Sequence, residues 1–434
     1  MGLPLRPRPE SVCHGRAPMR LLQVSFIALS FALKLPAADA PTPLSALLDE
    51  ATQNNPDILA ARRGWQAATQ VPSQVSTPPD PQFTVQQVSV GSPRPFAGFS
   101  NSDFAYVGFG ISQDLPYPGK LKLKGEAAQQ DAAISRDKLE GVRRSVLQQV
   151  KEAYFQVAYV QQTLEVLDRN SRLLEQIERI ADARYRVGQG SQQDVLRAQL
   201  ERTKLLREVA HHHGLMDTQQ ALLRKLLNRP PGSPEISTEQ LVETPLRYTS
   251  NELLAKVRAE SPEVTGQQEM VKRQSLQIEL ARKDRYPDFS VQYMWQHTAE
   301  QFRDYYMLSF STRIPIYRRR KLNPEMAQAV EELNRSRREY ESQVQTAYFD
   351  VRNQYIAAET ASQMLKIYRE GLIPQALATY QAGLVSYQTG GVDFETLFSS
   401  FMDALTFDGE YWKTLLEHET ALARIEQITG VPLN

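Results

Sequence analysis

The sequence predicts an α+β membrane protein built from two tandem copies of one structural unit. Three observations predict this fold. Short motifs recur in the same order in the two halves of residues 41–434, long proline-free segments carry an apolar seam, and four short segments alternate apolar and polar residues. The first observation indicates an internal duplication, the second indicates long helices, and the third indicates strands with one apolar face.

The duplication appears as pairs of motifs. Asp80-Pro81-Gln82-Phe83 returns as Tyr286-Pro287-Asp288-Phe289, and Leu115-Pro116 returns as Ile314-Pro315. A proline-rich stretch that starts at Arg229 separates the copies. We therefore expect a first repeat over 41–229 (a helix, two strands and a long helical hairpin), a linker over 230–249 and a second repeat over 250–434. Duplication of a whole chain favours a symmetric tube or ring over a catalytic pocket.

The chain starts with a segment typical of a secretory signal. Met19-Arg20 precedes an apolar run from Leu21 to Leu35, and small residues follow at Ala37-Ala38 and Ala40. We assign residues 1–40 to the signal region, with translation starting at Met19 and cleavage after Ala38. A single membrane anchor is the alternative, although the run is short for one.

Composition argues against a nucleic-acid-binding protein and against a protein with disulfides or a lipidated N-terminal cysteine. Residues 1–40 hold five basic and two acidic residues, so 45 basic and 48 acidic residues remain and the net charge of the mature chain is −3. This balance does not fit a nucleic-acid-binding protein, which needs a strongly basic face. Cys13 lies in the signal region, so the mature chain has neither a disulfide nor a lipidated N-terminal cysteine.

Two very long helices are predicted, one in each repeat. Between Pro118 and Pro230 there is no proline, and apolar residues step by three and four from Leu139 to Ala181. A helix from Lys120 to Val187 would be about 100 Å long. The second repeat has a similar seam from Val344 to Tyr368, which we expect Gly371-Leu372-Ile373-Pro374 to interrupt because proline removes a helical hydrogen bond. Each long helix then reaches a glycine turn, and a second helix returns.

Two strands per repeat show an apolar and a polar face. The segments begin near Phe83, Ala105, Phe289 and Tyr306, and loops over about 91–103 and 297–304 join them in pairs. Alternation of this kind over about ten residues is typical of a membrane β-barrel. A soluble hairpin packed on a helix is the alternative. We predict that the following residues face lipid: Phe289, Val291, Tyr293, Trp295, Tyr306, Leu308 and Phe310.

Four strands are too few for a membrane barrel, because bacterial examples begin at eight. An open sheet edge in lipid would leave backbone groups unpaired, at a cost of several kcal/mol each. The chain must therefore combine its strands with those of further copies of itself.

Several motifs in both repeats resemble the outer-membrane efflux proteins of the TolC type, and the heavy-metal and cation branch most closely. The resemblance spans about residues 42–431 and rests on these segments: Asn55-Pro56, Leu115-Pro116-Tyr117-Pro118-Gly119-Lys120, Tyr185-Arg186-Val187-Gly188, Asp194-Val195-Leu196, Gly371-Leu372-Ile373-Pro374-Gln375-Ala376 and Tyr387-Gln388-Thr389-Gly390.

The resemblance implies a homotrimer in the outer membrane of a Gram-negative bacterium. Twelve strands would form the outer-membrane β-barrel, and a long α-helical barrel would continue it into the periplasm and taper to a closed tip. At this tip a periplasmic adaptor (membrane fusion) protein and an inner-membrane pump of the RND type would dock. The docking residues implied are Val187, Gly188, Gly190, Ser191, Asp194, Gly390 and Gly391.

The glycines at the tip have a second interpretation. A helix reversal needs a left-handed backbone, so Gly188 and Gly390 could serve the turns alone. Some relatives also latch the tip with an arginine beside the second glycine turn. Here Gly391-Val392 follow Gly390, so we do not expect a charged latch to Asp194.

Three charged motifs each allow two interpretations. Asp393 and Glu395 could form an acidic ring in the pore of a trimer, or they could cap and stabilise the start of a helix. His211-His212-His213 looks like a metal site, but consecutive helical residues diverge by about 100°. Basic residues after the second and fourth strands, at Lys120, Lys122 and Lys124 and at 318–321, could reach lipid headgroups or be solvated.

The predicted function is a passive exit duct that exports metal cations or small toxic compounds. The sequence contains no P-loop, Gly-x-Ser-x-Gly or His-Glu-x-x-His motif, so we assign no catalytic residue, cofactor or bound metal. A periplasmic coiled-coil adaptor or structural rod is the alternative. It would account for the hairpins but not for four amphipathic strands.

Overall fold

The computed structural model describes residues 41–91, 93–95, 102–298 and 301–433. The predicted signal region, including Cys13, lies outside these ranges, as do parts of the two strand-connecting loops.

Each repeat has short helices, a pair of strands and a long helical hairpin. In the first, the described elements are α1 (Leu44–Asn54), α2 (Pro56–Ala68), α3 (Val71–Ser76), β1 (Gln82–Val88), β2 (Tyr106–Leu115), α4 (Lys120–Arg186) and α5 (Gln192–Leu226). In the second, they are α6 (Ser250–Glu260), α7 (Pro262–Lys283), β3 (Asp288–His297), β4 (Tyr305–Arg313), α8 (Asn323–Ile367), α9 (Ile373–Thr389) and α10 (Phe394–Thr429). The same order of elements in both halves agrees with the predicted duplication.

The recurring proline motifs start equivalent helices. The side chain of Asn55 accepts hydrogen bonds from the backbone N–H groups of Asp57 (2.9 Å) and Ile58 (3.2 Å), and Pro56 occupies the first helical position. Pro262 occupies the same position in α7, after Ser261. A backbone N–H at this position would have no partner within the helix, so proline, which lacks the N–H, loses no hydrogen bond there.

The seam of α4 is buried as predicted. This helix has 67 residues, so it is about 100 Å long. Val150, Val157, Leu174 and Ile177 are fully buried, and α4 packs against α5, α7 and α10. Because α5 belongs to the first repeat and α7 and α10 to the second, α4 holds both repeats together.

The predicted interruption at 371–374 takes the form of a π-helical turn and does not end the helix. The chain forms a π-helical turn over Tyr368–Leu372 and continues directly into α9. In this turn the N–H of Ile373 donates to the carbonyl of Tyr368, five residues back. The π turn compensates for the hydrogen bond that Pro374 cannot donate. The helix therefore continues past Pro374.

The four strands form one antiparallel sheet in the order β1-β2-β3-β4. The central β2–β3 pair joins the two repeats, with Phe109 opposite Trp295 and Ile111 opposite Tyr293. Among the described residues, β1 and β4 each pair on one side only, so the sheet has two free edges.

No helix in the described part of the chain has a stretch long and apolar enough to cross a membrane.

The linker 230–249 contains no helix or strand but is fastened to the helices. The Gln220 side chain exchanges two hydrogen bonds with the backbone of Ile236, at 2.8 and 2.9 Å. The buried carboxylate of Glu419 accepts from both the N–H and the hydroxyl of Thr244, each at 2.8 Å. In the structure, Glu419 binds the linker to α10.

Candidate functional site

Two hairpin turns lie side by side where α4 meets α5 and α9 meets α10. In the first, Gly188 has φ +74°, and the N–H of Gln189 donates to the carbonyl of Arg184 at 2.9 Å. In the second, Gly390 has φ +81°, and the N–H of Gly391 donates to the carbonyl of Ser386 at 2.8 Å. Both turns thus place a glycine in the left-handed region that closes a helix C-terminus. These two turns are called the tip below.

The other two tip glycines serve a different purpose. A Cβ on Gly190 would lie 3.1 Å from Cβ of Arg184, and one on Gly391 would lie 2.6 Å from Oγ of Ser386. Neither contact is tolerable without movement. Apart from the flanking residues, no atom in the described ranges lies within 4 Å of a Cβ built on Gly188, and a Cβ on Gly390 would meet the Arg184 guanidinium at 3.7 Å. Gly188 and Gly390 are thus required by backbone conformation, and the space beside Gly188 is open.

The returning helices begin with side-chain caps. Ser191 accepts from the N–H of Gln193 at 3.0 Å, and the carboxylate of Asp194 accepts from the N–H of Ser191 at 3.4 Å, which completes a capping box. On the second hairpin, Asp393 accepts from the N–H of Thr396 at 2.9 Å. Hydrogen bonds from Thr396 hold the pKa of Asp393 below its usual value. Both acids therefore act as local caps in this chain.

Glu395 is engaged by the first hairpin. Its carboxylate accepts from the guanidinium of Arg197 in two places, one of them at 3.0 Å. Of the two acids predicted for a pore ring, Asp393 therefore caps α10 and Glu395 is paired with a cation. Whether three copies of Asp393 line an axis stays a prediction.

Arg184 links the two turns, which sequence inspection missed. It donates to the carbonyls of Tyr387 and Gln189, the latter at 3.1 Å, and its guanidinium lies 4.6 Å from the centroid of the Tyr387 ring. The ring is 2% exposed and contacts Phe394 edge-on, with 5.9 Å between centroids. Burial and the negative charge of Asp194 raise the pKa of Tyr387. No pattern in the sequence could pair two residues so far apart in the chain.

One side of the tip exposes apolar surface to solvent. Val187 is 69% exposed, and Leu196 and Leu200, one helical turn apart on α5, are each more than half exposed. Beneath the tip, a buried cluster of aromatic residues fills the space between the hairpins: Tyr380, Tyr387, Phe394, Phe398 and Phe401. The tip therefore combines a rigid interior with an apolar rim.

The sheet has one continuous apolar face. Directly paired residues point to the same side of an antiparallel sheet, so the register forms rows across all four strands. One row is Phe83, Ile111, Tyr293 and Leu308, and the next is Val85, Phe109, Trp295 and Tyr306. Rings stack along the second row, with 5.8 Å between the centroids of Phe109 and Trp295.

The residues predicted to face lipid all lie on this apolar face. Leu308 is 60% exposed and Phe310 76% exposed, whereas Val291 and Trp295 are half-buried. The opposite face presents small and polar residues, including Gly108, Gln292 and Ser309. The structure thus brings the predicted residues together on one surface and extends it into β1 and β2. That this surface contacts lipid stays a prediction.

Lys120 does not lie where sequence inspection expected it. Its side chain is 6% exposed, and its Nζ lies 3.1 Å from a carboxylate oxygen of Asp284 and 2.9 Å from one of Asp288. Burial lowers the pKa of Lys120, but the two carboxylates outweigh it, and the pKa is raised overall. Lys120 is therefore neither solvated nor free for a headgroup. By contrast, Lys122 is 80% exposed.

The histidine triplet forms no site. Nδ1 of His212 lies 2.9 Å from the carbonyl oxygen of Glu208 on the preceding turn of its own helix. Within the ranges that the structure describes, no three His, Cys, Asp or Glu side chains are close enough to hold a metal ion.

Comparisons with known proteins agree with this architecture. The family model described as outer membrane efflux protein matches residues 47–229 and 253–393. Over 317 residues the chain is 22% identical to the cobalt-zinc-cadmium resistance protein CzcC of Cupriavidus metallidurans, which covers 72% of this chain and 74% of that protein.

Solved structures share the fold at low sequence identity. The outer membrane protein VceC of Vibrio cholerae has a TM-score of 0.76 and 14% identity, covering 90% of this chain and 97% of VceC. The open state of the MtrE outer membrane channel of Neisseria gonorrhoeae has a TM-score of 0.75 and 19% identity, covering 90% and 89%. The fold is thus that of trimeric channels in which each chain contributes four strands to a twelve-stranded barrel, continued by a helical barrel.

Proposed function

Because this chain belongs to the outer membrane efflux protein family, we propose that it is the exit duct through which a tripartite exporter releases metal cations. As a member of this family it is a passive channel of the Gram-negative outer membrane that extends into the periplasm, and it is not an enzyme. The substrate, the docking partners and the residues that meet them are proposals.

The observation that carries the proposal is the pair of glycine turns after α4 and α9, which lie side by side about 100 Å from the sheet. A duct without an energy source of its own needs a partner to open it, and the tip is the part of the chain best suited to receive one. Open space beside Gly188 leaves room for a partner's backbone, and the exposed Val187 offers apolar surface. We assign docking of a periplasmic adaptor and an inner-membrane RND-type pump to Val187, Gly188, Gly190, Ser191, Asp194, Gly390 and Gly391.

Two features support metal cations as the substrate. The relative CzcC is named for resistance to cobalt, zinc and cadmium. In addition, Asp393 places a carboxylate beside the tip whose lowered pKa keeps it charged at neutral pH. Three such carboxylates around a trimer axis would attract cations and repel anions.

The sheet gives the duct its place in the membrane. Its apolar face carries Phe289, Val291, Tyr293 and the other predicted lipid-facing residues, and both free edges need partners in lipid. A periplasmic adaptor or rod, the alternative, would have no use for such a sheet.

The experiment is deletion of the gene in its own host, with measurement of cell-associated cobalt, zinc and cadmium by mass spectrometry. We expect these metals to accumulate several-fold and the intact gene to restore the original content. Accumulation of organic antibiotics with no change in any metal would show that the substrate assignment is wrong. The duct itself is tested separately. Light scattering in mild detergent should give a trimer, and a stable monomer that needs no detergent would contradict the channel.

A further inference from the structure

Within one chain, the ammonium group of Lys120 forms ion pairs that join the two repeats where β2 ends and β3 begins. Lys120 follows β2, whereas Asp284 and Asp288 lie just before and at the start of β3. The carboxylate of Asp288 also accepts from the N–H of Tyr117 at 2.8 Å. Where the end of β2 meets the start of β3, a basic residue after one strand thus neutralises acids before the other.

The internal duplication creates a second place with the same order of elements. β4 followed by α8 is the second copy of β2 followed by α4, and the start of β1 is the first copy of the start of β3. Aligning Leu115-Pro116 with Ile314-Pro315 puts Arg319 in the position of Lys120. Aligning Pro81 with Pro287 puts Gln82 in the position of Asp288, and the nearby acid on this side is Asp80, two residues earlier. In a closed barrel of three chains, the free edge of β4 must pair with the free edge of β1 from the next chain, because an open edge in lipid is costly. The end of β4 in one protomer and the start of β1 in the next then lie side by side.

Both sides of this second seam carry charges that have no partner within the described part of the chain. The basic segment 318–321, comprising Arg318, Arg319, Arg320 and Lys321, is exposed after β4. Asp80, two residues before β1, is exposed as well. None of these five side chains takes part in an ion pair among the described residues, whereas Lys120 has two. The two free edges of the sheet therefore end in opposite charges.

We propose that the basic segment 318–321 of one protomer, centred on Arg319, forms an ion pair with Asp80 of the next protomer at the periplasmic rim of the barrel. The partner is a second copy of this chain, and the pair repeats three times around the trimer. It fastens the β4–β1 seam between chains as Lys120 fastens the β2–β3 seam within one chain. The proposal rests on the trimeric duct described above.

Cysteine cross-linking tests the position, because the mature chain has no cysteine of its own. Asp80→Cys and Arg319→Cys are combined in one chain. Within a chain, β1 and β4 are about 14 Å apart across the sheet, whereas a disulfide needs Cα atoms within about 7 Å. Oxidation should therefore produce covalent dimers and trimers on denaturing gels, and each single cysteine variant should remain monomeric on the gel. A double variant that assembles into trimers but gives no covalent ladder places these residues apart and overturns the proposal.

Charge reversal tests the energetics. We expect Asp80→Arg or Arg319→Asp alone to speed dissociation of the detergent-solubilised trimer roughly tenfold, which is about 1.4 kcal/mol summed over three seams. The combined swap, Asp80→Arg with Arg319→Asp, should restore most of the loss. Asp103→Lys, an exposed acid beyond the other end of the strands, is the matched control and should change nothing.

The remaining outcomes separate this proposal from the duct and from lipid binding. Loss of the trimer in the unmodified protein would contradict the duct itself. An intact trimer whose dissociation is insensitive to every charge reversal overturns the ion pair alone. If neutral variants of the basic segment 318–321 instead lose binding only to vesicles containing anionic phosphatidylglycerol, the segment contacts lipid headgroups and the ion-pair assignment is wrong.

Discussion

Arg184 lies over the ring of Tyr387, with 4.6 Å between the guanidinium carbon and the ring centroid, and it also donates to the Tyr387 carbonyl. The two residues belong to different repeats and to the two hairpins that form the tip. Together with the ion pair between Arg197 and Glu395, this contact joins the two hairpins at the tip.

We predict that Arg184→Gln loosens the tip. Loss of the cation–π contact and of a charged hydrogen bond should remove about 1–2 kcal/mol, a shift of about tenfold in the ratio of closed to open channels. Single-channel recording in planar bilayers would show a raised open probability. Arg186→Gln is the control, because Arg186 is exposed and its ion pair among the described residues is with Asp182 on its own helix. Equal effects of both variants would mean that Arg184 does not hold the hairpins together.

The two faces of β4 give a second prediction. Leu308 and Ser309 are neighbours in sequence but point to opposite faces of the sheet. Leu308→Arg should destabilise the folded channel by about 2–4 kcal/mol if Leu308 lies near the bilayer midplane, whereas Ser309→Arg should be tolerated. Urea titration of the protein refolded into lipid vesicles measures both. Similar costs for the two variants would show that the apolar face does not contact lipid.

Periodicity in the sequence was enough to predict the strands and the two long helices. The alternation around Phe289 and the seam around Val150 depend only on the side-chain period of a strand or a helix. The π-helical turn before Pro374 was missed, because a proline motif shows where a helix is stressed and not how the backbone relieves the stress.

Contacts between distant residues could not be predicted from the sequence. Lys120 was expected at headgroups or in solvent, but the pairing of β2 with β3 brings two acids to it. Arg184 and Tyr387 are likewise brought together only by the packing of one hairpin against the other. The glycine positions at the tip were found because a left-handed turn leaves a local signature, whereas an ion pair across a fold leaves none.

A third prediction concerns the junction at Lys120. Lys120→Met leaves the carboxylates of Asp284 and Asp288 without their cation, and it should cost about 1–3 kcal/mol, less than for a fully buried pair because both acids are about one third exposed. Chemical unfolding followed by circular dichroism gives the cost. Lys122→Met, a change at an exposed lysine nearby, should cost less than about 0.5 kcal/mol. An equally small effect at Lys120 would show that the junction adds no stability.

The two interpretations of Asp393 can be separated by one substitution. Asp393→Asn keeps a side chain that caps a helix well but removes the charge. We expect a small loss of stability, because the charged carboxylate is favoured in the folded state, and a cation-to-anion permeability ratio that falls roughly twofold or more. Arg197→Gln should raise the ratio, because it frees the carboxylate of Glu395. Unchanged selectivity in both variants would leave Asp393 with a capping role only.

The pH dependence of this selectivity follows from the lowered pKa of Asp393. An unperturbed aspartate has a pKa of about 3.9, so Asp393 stays charged at pH 5 and the permeability ratio should be the same at pH 7 and pH 5. The stabilising effect of the cap has the same sign. It is present above the unfolded pKa and is lost as the pH falls through the lower folded value. A ratio that declines already between pH 7 and pH 5 would assign the selectivity to other groups.

The last prediction separates the structural role of the tip glycines from docking. Gly390 has φ +81°, which costs a residue with a Cβ about 1–2 kcal/mol, and the Cβ of a leucine there would lie 3.7 Å from the guanidinium of Arg184. We predict that Gly390→Leu leaves the trimer assembled in the outer membrane, because the sheet lies about 100 Å from the turn, but abolishes metal export. Gly214→Leu is the matched control, since Gly214 is exposed in α5 and has no atom within 4 Å of its Cβ position. Export is measured as cell-associated metal, and assembly by light scattering of the extracted protein. If Gly390→Leu prevents assembly, the glycine serves the fold alone; if export and assembly are both normal, the partner docks elsewhere.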